Sequence, residues 1–201
     1  MTLHKMAASA GLAIGLATAG WSIAATAGTA AAGVSTRAGD ASLTASRATS
    51  PVSSQDRMFM DQASEINLTE ISLGRFMEAR ASMTAERKLG ARYARDHTTA
   101  QANLRALASR LHVTLPTTAG AKNAATVARI EAQKGRSMDD SFVSASISGH
   151  KAAIAIFRKE ESAGSNSAVK AYASHYLPML QTHLRMAEQA ESALRAMSGK
   201  S

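Results

Sequence analysis

Four ionisable residues lie where the sequence predicts the interior of a helical protein. Four apolar helical stripes each contain one of them: Glu70 in the first stripe, His97 in the second, His150 in the third and His183 in the fourth. Each lies within about three residues of the midpoint of its predicted helix, or roughly 5 Å along the axis. We therefore expect the four side chains to share one central layer.

Three interpretations of this layer follow from the residues, because burying such groups without partners costs several kcal/mol. The first is a hydrogen-bonded layer that sets helix register and partner choice. The second is a site for a single divalent metal ion, since three imidazoles and one carboxylate form a suitable ligand set for Zn(II), Mn(II), Fe(II) or Cu(II). The third is a catalytic site without metal, in which Glu and His perform acid–base chemistry.

Asp96 adjoins His97 in the sequence but points about 100° away from it on a helix. We therefore expect Asp96 to support a ligand rather than to bind the metal itself. No residue is assigned a catalytic role, because the chain lacks a phosphate-binding glycine loop, a nucleophile elbow and a His-Glu-x-x-His motif. The sequence favours a protein without enzymatic activity.

Four long helices are predicted to carry the layer. Apolar residues recur at three- and four-residue steps over about 54–80, 82–112, 137–163 and from Asn166 to about 197. Ser82 is interpreted as the N-cap of the second helix, and residues 137–140 as a capping box for the third. Pro178 is expected to kink the fourth helix or split it before His183.

About 25 residues connect the second and third long helices, and a short helix is predicted within them at about 123–134, closed by Gly135. Antiparallel neighbours need only short loops, so one long connection is typical of ferritin-like bundles. The predicted fold class is all-α, a ferritin-like four-helix bundle with one long crossover between helices 2 and 3. The bundle domain spans residues 54–197.

The amino-terminal segment is predicted to be a secretory signal. A start containing Lys5 is followed by a weakly apolar run and then by small residues, and no acidic residue precedes Asp40. We assign residues 1–32 to a signal peptide and residues 33–53, rich in Ala, Ser, Thr and Gly, to a flexible linker. The mature chain is predicted to have no transmembrane helix and to reside in the periplasm or at the outer membrane.

The composition limits which binding partners and which site chemistry can be expected. The chain has no cysteine, which excludes disulfides and thiolate metal sites. Its net charge is +8, which keeps a soluble protein dispersed and attracts anionic surfaces. No basic stripe interleaved with aromatic residues is found, so nucleic acid is not a predicted partner. The predicted partner is an anionic component of the cell envelope.

The segment from Phe59 to Glu188 resembles a bacterial family known as domain of unknown function 4142, whose members are often described as outer-membrane or periplasmic proteins. The matching pieces are Glu70-Ile71-Ser72-Leu73-Gly74, Tyr93-Ala94-Arg95-Asp96-His97-Thr98, Leu107-Ala108 with Val113-Thr114-Leu115-Pro116, Met138-Asp139, Gly149-His150, Phe157-Arg158-Lys159-Glu160, and Tyr176-Leu177-Pro178 with His183-Leu184. Their order and spacing fit over about two-thirds of the chain.

The resemblance implies a ferritin-like bundle in the bacterial envelope. It also implies that the family's characteristic polar positions fall on Glu70, Asp96, His97, Asp139, His150 and His183. It implies no activity. The chain lacks the Glu-x-x-His pairs with which ferritin-like proteins hold two irons, so a single ion is expected. Three functions follow: an envelope protein that binds a metal ion or anionic component, a metal-dependent oxidoreductase in stress defence, and a structural protein whose polar layer specifies the fold.

Overall fold

The computed structural model describes residues 51–198. The helices in this range are α1 (Ser54–Arg80), α2 (Thr84–Arg110), α3 (Gly120–Glu131), α4 (Gly135–Ala163) and α5 (Ser167–Ser198), and this part of the chain contains no strand. The predicted all-α fold is confirmed. The predicted signal peptide, residues 1–32, and nearly all of the predicted linker lie outside the described residues.

Each long hairpin packs chiefly within itself, α1 against α2 and α4 against α5, and the two hairpins then meet through α2 with α5 and α1 with α4. Helix α3 rests on α1 and α4. The backbones of α1 and α2 approach closely at Gly74 and Gly90, where a Cβ atom on Gly74 would lie 2.6 Å from the carbonyl oxygen of Gly90. Glycine at these positions brings the two helices together one turn from Glu70.

Reciprocal aspartate contacts tie the two hairpins together. Asp139 of α4 accepts hydrogen bonds from the backbone N–H groups of Ser82 at 3.1 Å and Met83 at 3.2 Å, in the α1–α2 loop. Asp56 of α1 accepts hydrogen bonds from Ser165 at 2.9 Å and Asn166 at 3.1 Å, in the α4–α5 loop. Each carboxylate binds N–H groups at the start of a helix. Helix α2 has no side-chain cap of its own and depends on Asp139, whereas Asn166 caps α5 with its own side chain and Asp56 reinforces that cap.

Several predicted helix ends differ from the structure. Ser82 is not the N-cap of α2, which is Met83 and has no side-chain cap of its own, since Asp139 supplies the carboxylate. Residues 137–140 are not a capping box, because α4 begins earlier, at Gly135. Gly135 thus starts a helix instead of closing one, with a φ of +59° that glycine tolerates. Helix α5 runs unbroken through Pro178.

Two apolar clusters lie on either side of the polar layer along the helices. One cluster contains Phe59, Leu104, Phe157 and Tyr172. The other contains residues at the opposite ends of the same helices, among them Leu73, Leu89, Phe142 and Leu194. Burial of these side chains is the main stabilising contribution, and it encloses the layer in an apolar surrounding. Among residues 51–198, every helix is too polar or too short to cross a lipid bilayer.

Candidate metal centre

The structure brings the four predicted residues together in the protein interior. His97 and His183 are fully buried, His150 is 1% exposed and Glu70 is 8% exposed. One ring nitrogen from each of His97, His150 and His183, which we call the histidine cluster, lies within 4.8 Å of the others. Glu70 lies beside this cluster, with Oε1 3.9 Å from Nδ1 of His150.

Each ring of the histidine cluster uses one nitrogen to bind an oxygen atom outside the cluster. Nδ1 of His97 lies 2.8 Å from Oδ1 of Asn67, and Nδ1 of His150 lies 2.8 Å from the carbonyl oxygen of Ser146. Nε2 of His183 lies 2.9 Å from a carboxylate oxygen of Asp96. A carbonyl or carboxylate oxygen only accepts, so a neutral ring must place its single N–H on that nitrogen.

The tautomer of His97 is determined by a chain of hydrogen bonds. Ser64 donates its hydroxyl to the carbonyl oxygen of Pro116 at 3.0 Å and accepts from Nε2 of Gln101 at 2.8 Å. Oε1 of Gln101 then accepts from Nδ2 of Asn67 at 3.1 Å. The remaining oxygen of Asn67 must accept from His97. This series of hydrogen bonds starts at the carbonyl oxygen of Pro116, which can only accept. The direction of every hydrogen bond in the series is therefore fixed.

The three remaining nitrogens carry lone pairs and face one another. Nε2 of His150 and Nδ1 of His183 are 3.3 Å apart, and Nε2 of His97 is buried without a hydrogen-bond partner. With every N–H directed outward, no proton lies between them. Facing lone pairs and an unpaired buried acceptor are unfavourable in a low-dielectric interior, and a cation at the centre relieves both.

Protonation of His97 or His183 is a poor source of that cation. Burial lowers the pKa of His97 well below 6.5, and the neighbouring rings of His150 and His183 lower it further. Burial likewise lowers the pKa of His183 to about 4, although the hydrogen bond to Asp96 acts in the opposite direction. Both rings are therefore neutral at pH 7, which is the form that binds a metal.

The spacing of one pair of nitrogens fits a transition-metal ion, and the third nitrogen lies within 4.8 Å of both. Bonds of about 2.0–2.1 Å to a tetrahedral ion place two nitrogen ligands about 3.3 Å apart. This is the separation of the inward nitrogens of His150 and His183. An outward N–H donated to an oxygen is the usual support for a metal-binding histidine, and all three rings have one. The chemistry of the donor set therefore suits a single ion with three imidazole ligands.

Tyr93 holds two of these rings in place. Its ring centroid lies 4.5 Å from that of His183 and 4.9 Å from that of His150. Burial raises the pKa of Tyr93, so its hydroxyl stays protonated and donates to the carbonyl oxygen of His183 at 2.9 Å. Tyr93 lies one turn before His97 on α2, and the sequence gave no sign of this contact.

Asp96 lies against the histidine cluster but not within it. Its carboxylate bridges Nε2 of His183 and Nε of Arg92, the latter at 2.5 Å. Burial acts to raise the pKa of Asp96, but the hydrogen bonds from Arg92 and His183 outweigh it and hold this pKa below 3.8. The ionised carboxylate supplies negative charge beside a ring that faces the centre.

Glu70 faces away from the inward nitrogens. Its closest approach to the cluster is to the outward nitrogen of His150, and its Oε2 atom is buried without a hydrogen-bond partner. Burial raises the pKa of Glu70, while His150 acts to lower it. Glu70 and His150 also line a groove of about 500 Å³ between α1, α3 and α4, so this side of the cluster is the one nearest to solvent.

Sequence reasoning missed Asn67, Ser64 and Gln101. Asn67 lies three residues before Glu70 and Ser64 another three before that, on the buried stripe of α1. Gln101 lies one turn after His97 on α2. Polar residues one turn from a predicted ligand were the available signal, but only the packing of α1 against α2 joins them into a chain.

Comparison with known proteins places the chain in a family. Residues 41–190 match the family described as Domain of unknown function (DUF4142). The chain belongs to this family. The resemblance inferred from the sequence is thereby confirmed, and the family description assigns no activity.

One solved structure is similar to most of this chain. The crystal structure of a DUF305 fragment from Deinococcus radiodurans matches with a TM-score of 0.64 and 15% sequence identity, covering 71% of this chain and 99% of that chain. At this identity the similarity concerns the fold alone. No curated protein matches the chain.

Proposed function

We propose that this DUF4142 chain is an exported envelope protein that binds one divalent transition-metal ion through His97, His150 and His183. The observation that carries the proposal is the outward direction of all three N–H groups, which leaves three lone pairs facing one another in the interior. Neutral imidazoles without thiolates favour Zn(II), Cu(II), Fe(II) or Mn(II) over Mg(II) and Ca(II).

The overall architecture that we propose is a ferritin-like four-helix bundle formed by α1, α2, α4 and α5, with the α2–α4 connection and α3 as its long crossover. In such bundles, metal sites are built in the core from side chains on facing helices. The histidine cluster draws one ring from each of α2, α4 and α5. Glu70 and Asp96 supply nearby negative charge that offsets the charge of a bound ion.

Elemental analysis of protein expressed in the periplasm tests the metal. The wild type should contain about one equivalent of a divalent transition metal, and His97→Ala and His150→Ala should contain almost none. His175→Ala is the matched control, because His175 is exposed on the same helix as His183 and should leave the metal content unchanged. A folded wild type that takes up no Zn(II) or Co(II) after dialysis would refute metal binding and leave the layer a structural one.

Redox turnover decides between a binding protein and a metal-dependent oxidoreductase. A small molecule in the groove beside Glu70 would contact His150 and would be separated from a bound ion by that imidazole ring, and this favours the oxidoreductase as the second candidate. Fe(II)-, Mn(II)- or Cu(II)-loaded protein that consumes peroxide or superoxide faster than the same metal on His97→Ala would support it. Equal rates would leave metal binding as the function.

Export rests on the signal-like features of residues 1–32 and on the absence of cysteine. Expression of the full chain with fractionation and intact mass measurement tests it. The expected product is a periplasmic or outer-membrane-associated protein that lacks about the first 27 to 32 residues. An intact chain in the cytoplasm would be the contrary result.

A further inference from the structure

The groove between α1, α3 and α4 has a chemistry of its own. Its inner end is formed by Glu70, Ser146 and His150, and its outer rim by Lys122 and Arg129 of α3. Its volume of about 500 Å³ lies within the range of about 300–1,000 Å³ that small-molecule sites occupy. The inward nitrogens of the histidine cluster belong to a different face of His150, so the groove is separate from the candidate metal centre.

Two polar atoms at the inner end of the groove lack partners. Oε2 of Glu70 and Oγ of Ser146 are buried without a hydrogen-bond partner, in side chains of residues that are 8% and 2% exposed. Buried polar atoms in native proteins are nearly always paired. A carboxylate and a hydroxyl that line one groove can both accept, so a group with several N–H donors is suited to satisfy them together.

The rim carries the opposite charge. Lys122 and Arg129 lie seven residues apart, on one face of α3, and both are exposed. Neither has an ion-pair partner among residues 51–198. Glu65, the other acidic residue of the groove, lies instead against Gly120 at the first turn of α3, where a Cβ atom would be 2.7 Å from its Oε1. The rim is therefore suited to an anionic group.

Between these ends the wall mixes aliphatic residues with small and polar ones. Ile66, Leu73 and Ile156 contribute aliphatic surface. Gly149 leaves the space beside Glu70 free, since a Cβ atom there would meet only Oε1 of Glu70, at 3.9 Å. Aliphatic carbon atoms of a ligand can pack along this wall.

We infer that the groove binds a small zwitterion, with its ammonium group at Glu70 and Ser146, its aliphatic body along the wall and its carboxylate at Lys122 and Arg129. ω-Amino acids and short peptides, whose two charged groups are separated by several atoms, have this chemistry. The ammonium supplies donors to both unpaired atoms and a counter-charge to a buried carboxylate. The inference does not require a bound metal.

Binding of three related probes to the full mature protein tests the inference. 6-Aminohexanoate carries both charged groups, hexylamine only the ammonium and hexanoate only the carboxylate. Ligand-detected NMR or calorimetry, with EDTA and again with Zn(II), should rank 6-aminohexanoate as the tightest. L-Leucyl-L-alanine identifies the source, because tighter binding than 6-aminohexanoate indicates short peptides and weaker binding indicates free ω-amino acids.

Variants at the two ends of the groove should weaken the binding of different probes, according to the charge that each probe carries. Glu70→Gln should weaken the binding of 6-aminohexanoate and hexylamine about tenfold, as for a lost charged hydrogen bond, and leave that of hexanoate unchanged. Lys122→Gln with Arg129→Gln should weaken the binding of 6-aminohexanoate and hexanoate and leave that of hexylamine unchanged, while Lys159→Gln, exposed on α4 outside the groove, should change none.

A variant that fills the groove completes the test. Gly149→Leu adds a side chain beside Glu70 without a close Cβ contact and replaces a mid-helix glycine, so the fold should be retained or stabilised while binding of 6-aminohexanoate is lost. Binding of 6-aminohexanoate that survives this change, a charge pattern that the variants do not follow, or no saturation by either 6-aminohexanoate or the dipeptide at about 10 mM would overturn the inference. Loss of metal binding alone would not.

Discussion

The two sides of the histidine cluster differ in how completely their polar atoms are paired. On the side of His97, a chain of hydrogen bonds runs from its Nδ1 atom through Asn67 and Gln101 to Ser64, and no side-chain atom of these three residues is buried without a partner. We call this the sealed side. On the open side, Glu70 and Ser146 line the groove and each has one buried atom without a partner.

This difference separates two tasks. The sealed side decides where the proton of His97 lies, and a network that must hold one tautomer has to be satisfied throughout. The open side retains polar atoms that the fold itself does not use, which is where binding is expected. The following predictions test whether the sealed side is structural and the open side is not.

Disrupting the hydrogen bonds of the sealed side should reduce the free energy of unfolding more than any other change. Asn67→Leu leaves Nδ1 of His97 and Oε1 of Gln101 buried without partners, at about 1–3 kcal/mol each. We expect the free energy of unfolding in urea to fall by about 4 kcal/mol. Glu78→Leu, at an exposed position of the same helix, is the control and should change it little. A loss below about 1 kcal/mol for Asn67→Leu would mean that the chain has no structural role.

Acid should destabilise the folded protein through His183, whereas protonation of Glu70 on the open side acts in the opposite direction. The pKa of His183 is about 4 in the folded protein against 6.5 for a free histidine, so the unfolded chain takes up the proton first. The stability that this provides is complete above pH 6.5 and is lost as the pH falls toward 4, by about 3 kcal/mol. Urea unfolding of the metal-free protein across this range should show the loss, and His183→Leu should reduce it. The same pH dependence in both proteins would contradict the assignment.

The support that Asp96 gives His183 should be visible in metal affinity. Asp96→Asn keeps an acceptor for Nε2 of His183 but removes the charge, and we expect the affinity for Zn(II) to fall by about tenfold or more. Asp140→Asn is a close control, because Asp140 pairs with Arg136 four residues earlier, as Asp96 does with Arg92, but contacts no ligand. Equal affinities for the two variants would exclude a role for the carboxylate.

The smallest effect on folding is expected on the open side. Burial raises the pKa of Glu70, so ionisation disfavours the folded state, and this cost develops as the pH rises above 4.5. Glu70→Gln should therefore match the wild type near pH 4 and be slightly more stable at pH 7, in metal-free protein. Urea midpoints at the two pH values check this. A large loss at pH 7 would show that Glu70 is structural and that the two sides do not differ.

The predicted helix periodicity was sufficient to bring four polar residues to one level of the interior. Apolar residues at three- and four-residue steps define the buried stripe of each helix, and Glu70, His97, His150 and His183 interrupt those stripes near their midpoints. Helix ends were less predictable. The cap of α2 comes from Asp139, which is distant in sequence, so a local pattern around Ser82 led to the wrong residue.

The sequence by itself determined that the chain is helical, which face of each helix is buried, and that its buried faces carry histidines and a glutamate. These properties depend on side chains a few residues apart on one helix. Tertiary structure alone decided that Glu70 faces the groove and not the inward nitrogens. It also decided that Asn67 accepts a hydrogen bond from His97 and that the lone pairs of three imidazole nitrogens face one another. Those outcomes depend on rotation about side-chain bonds and on contacts between different helices, and no spacing along the chain encodes either.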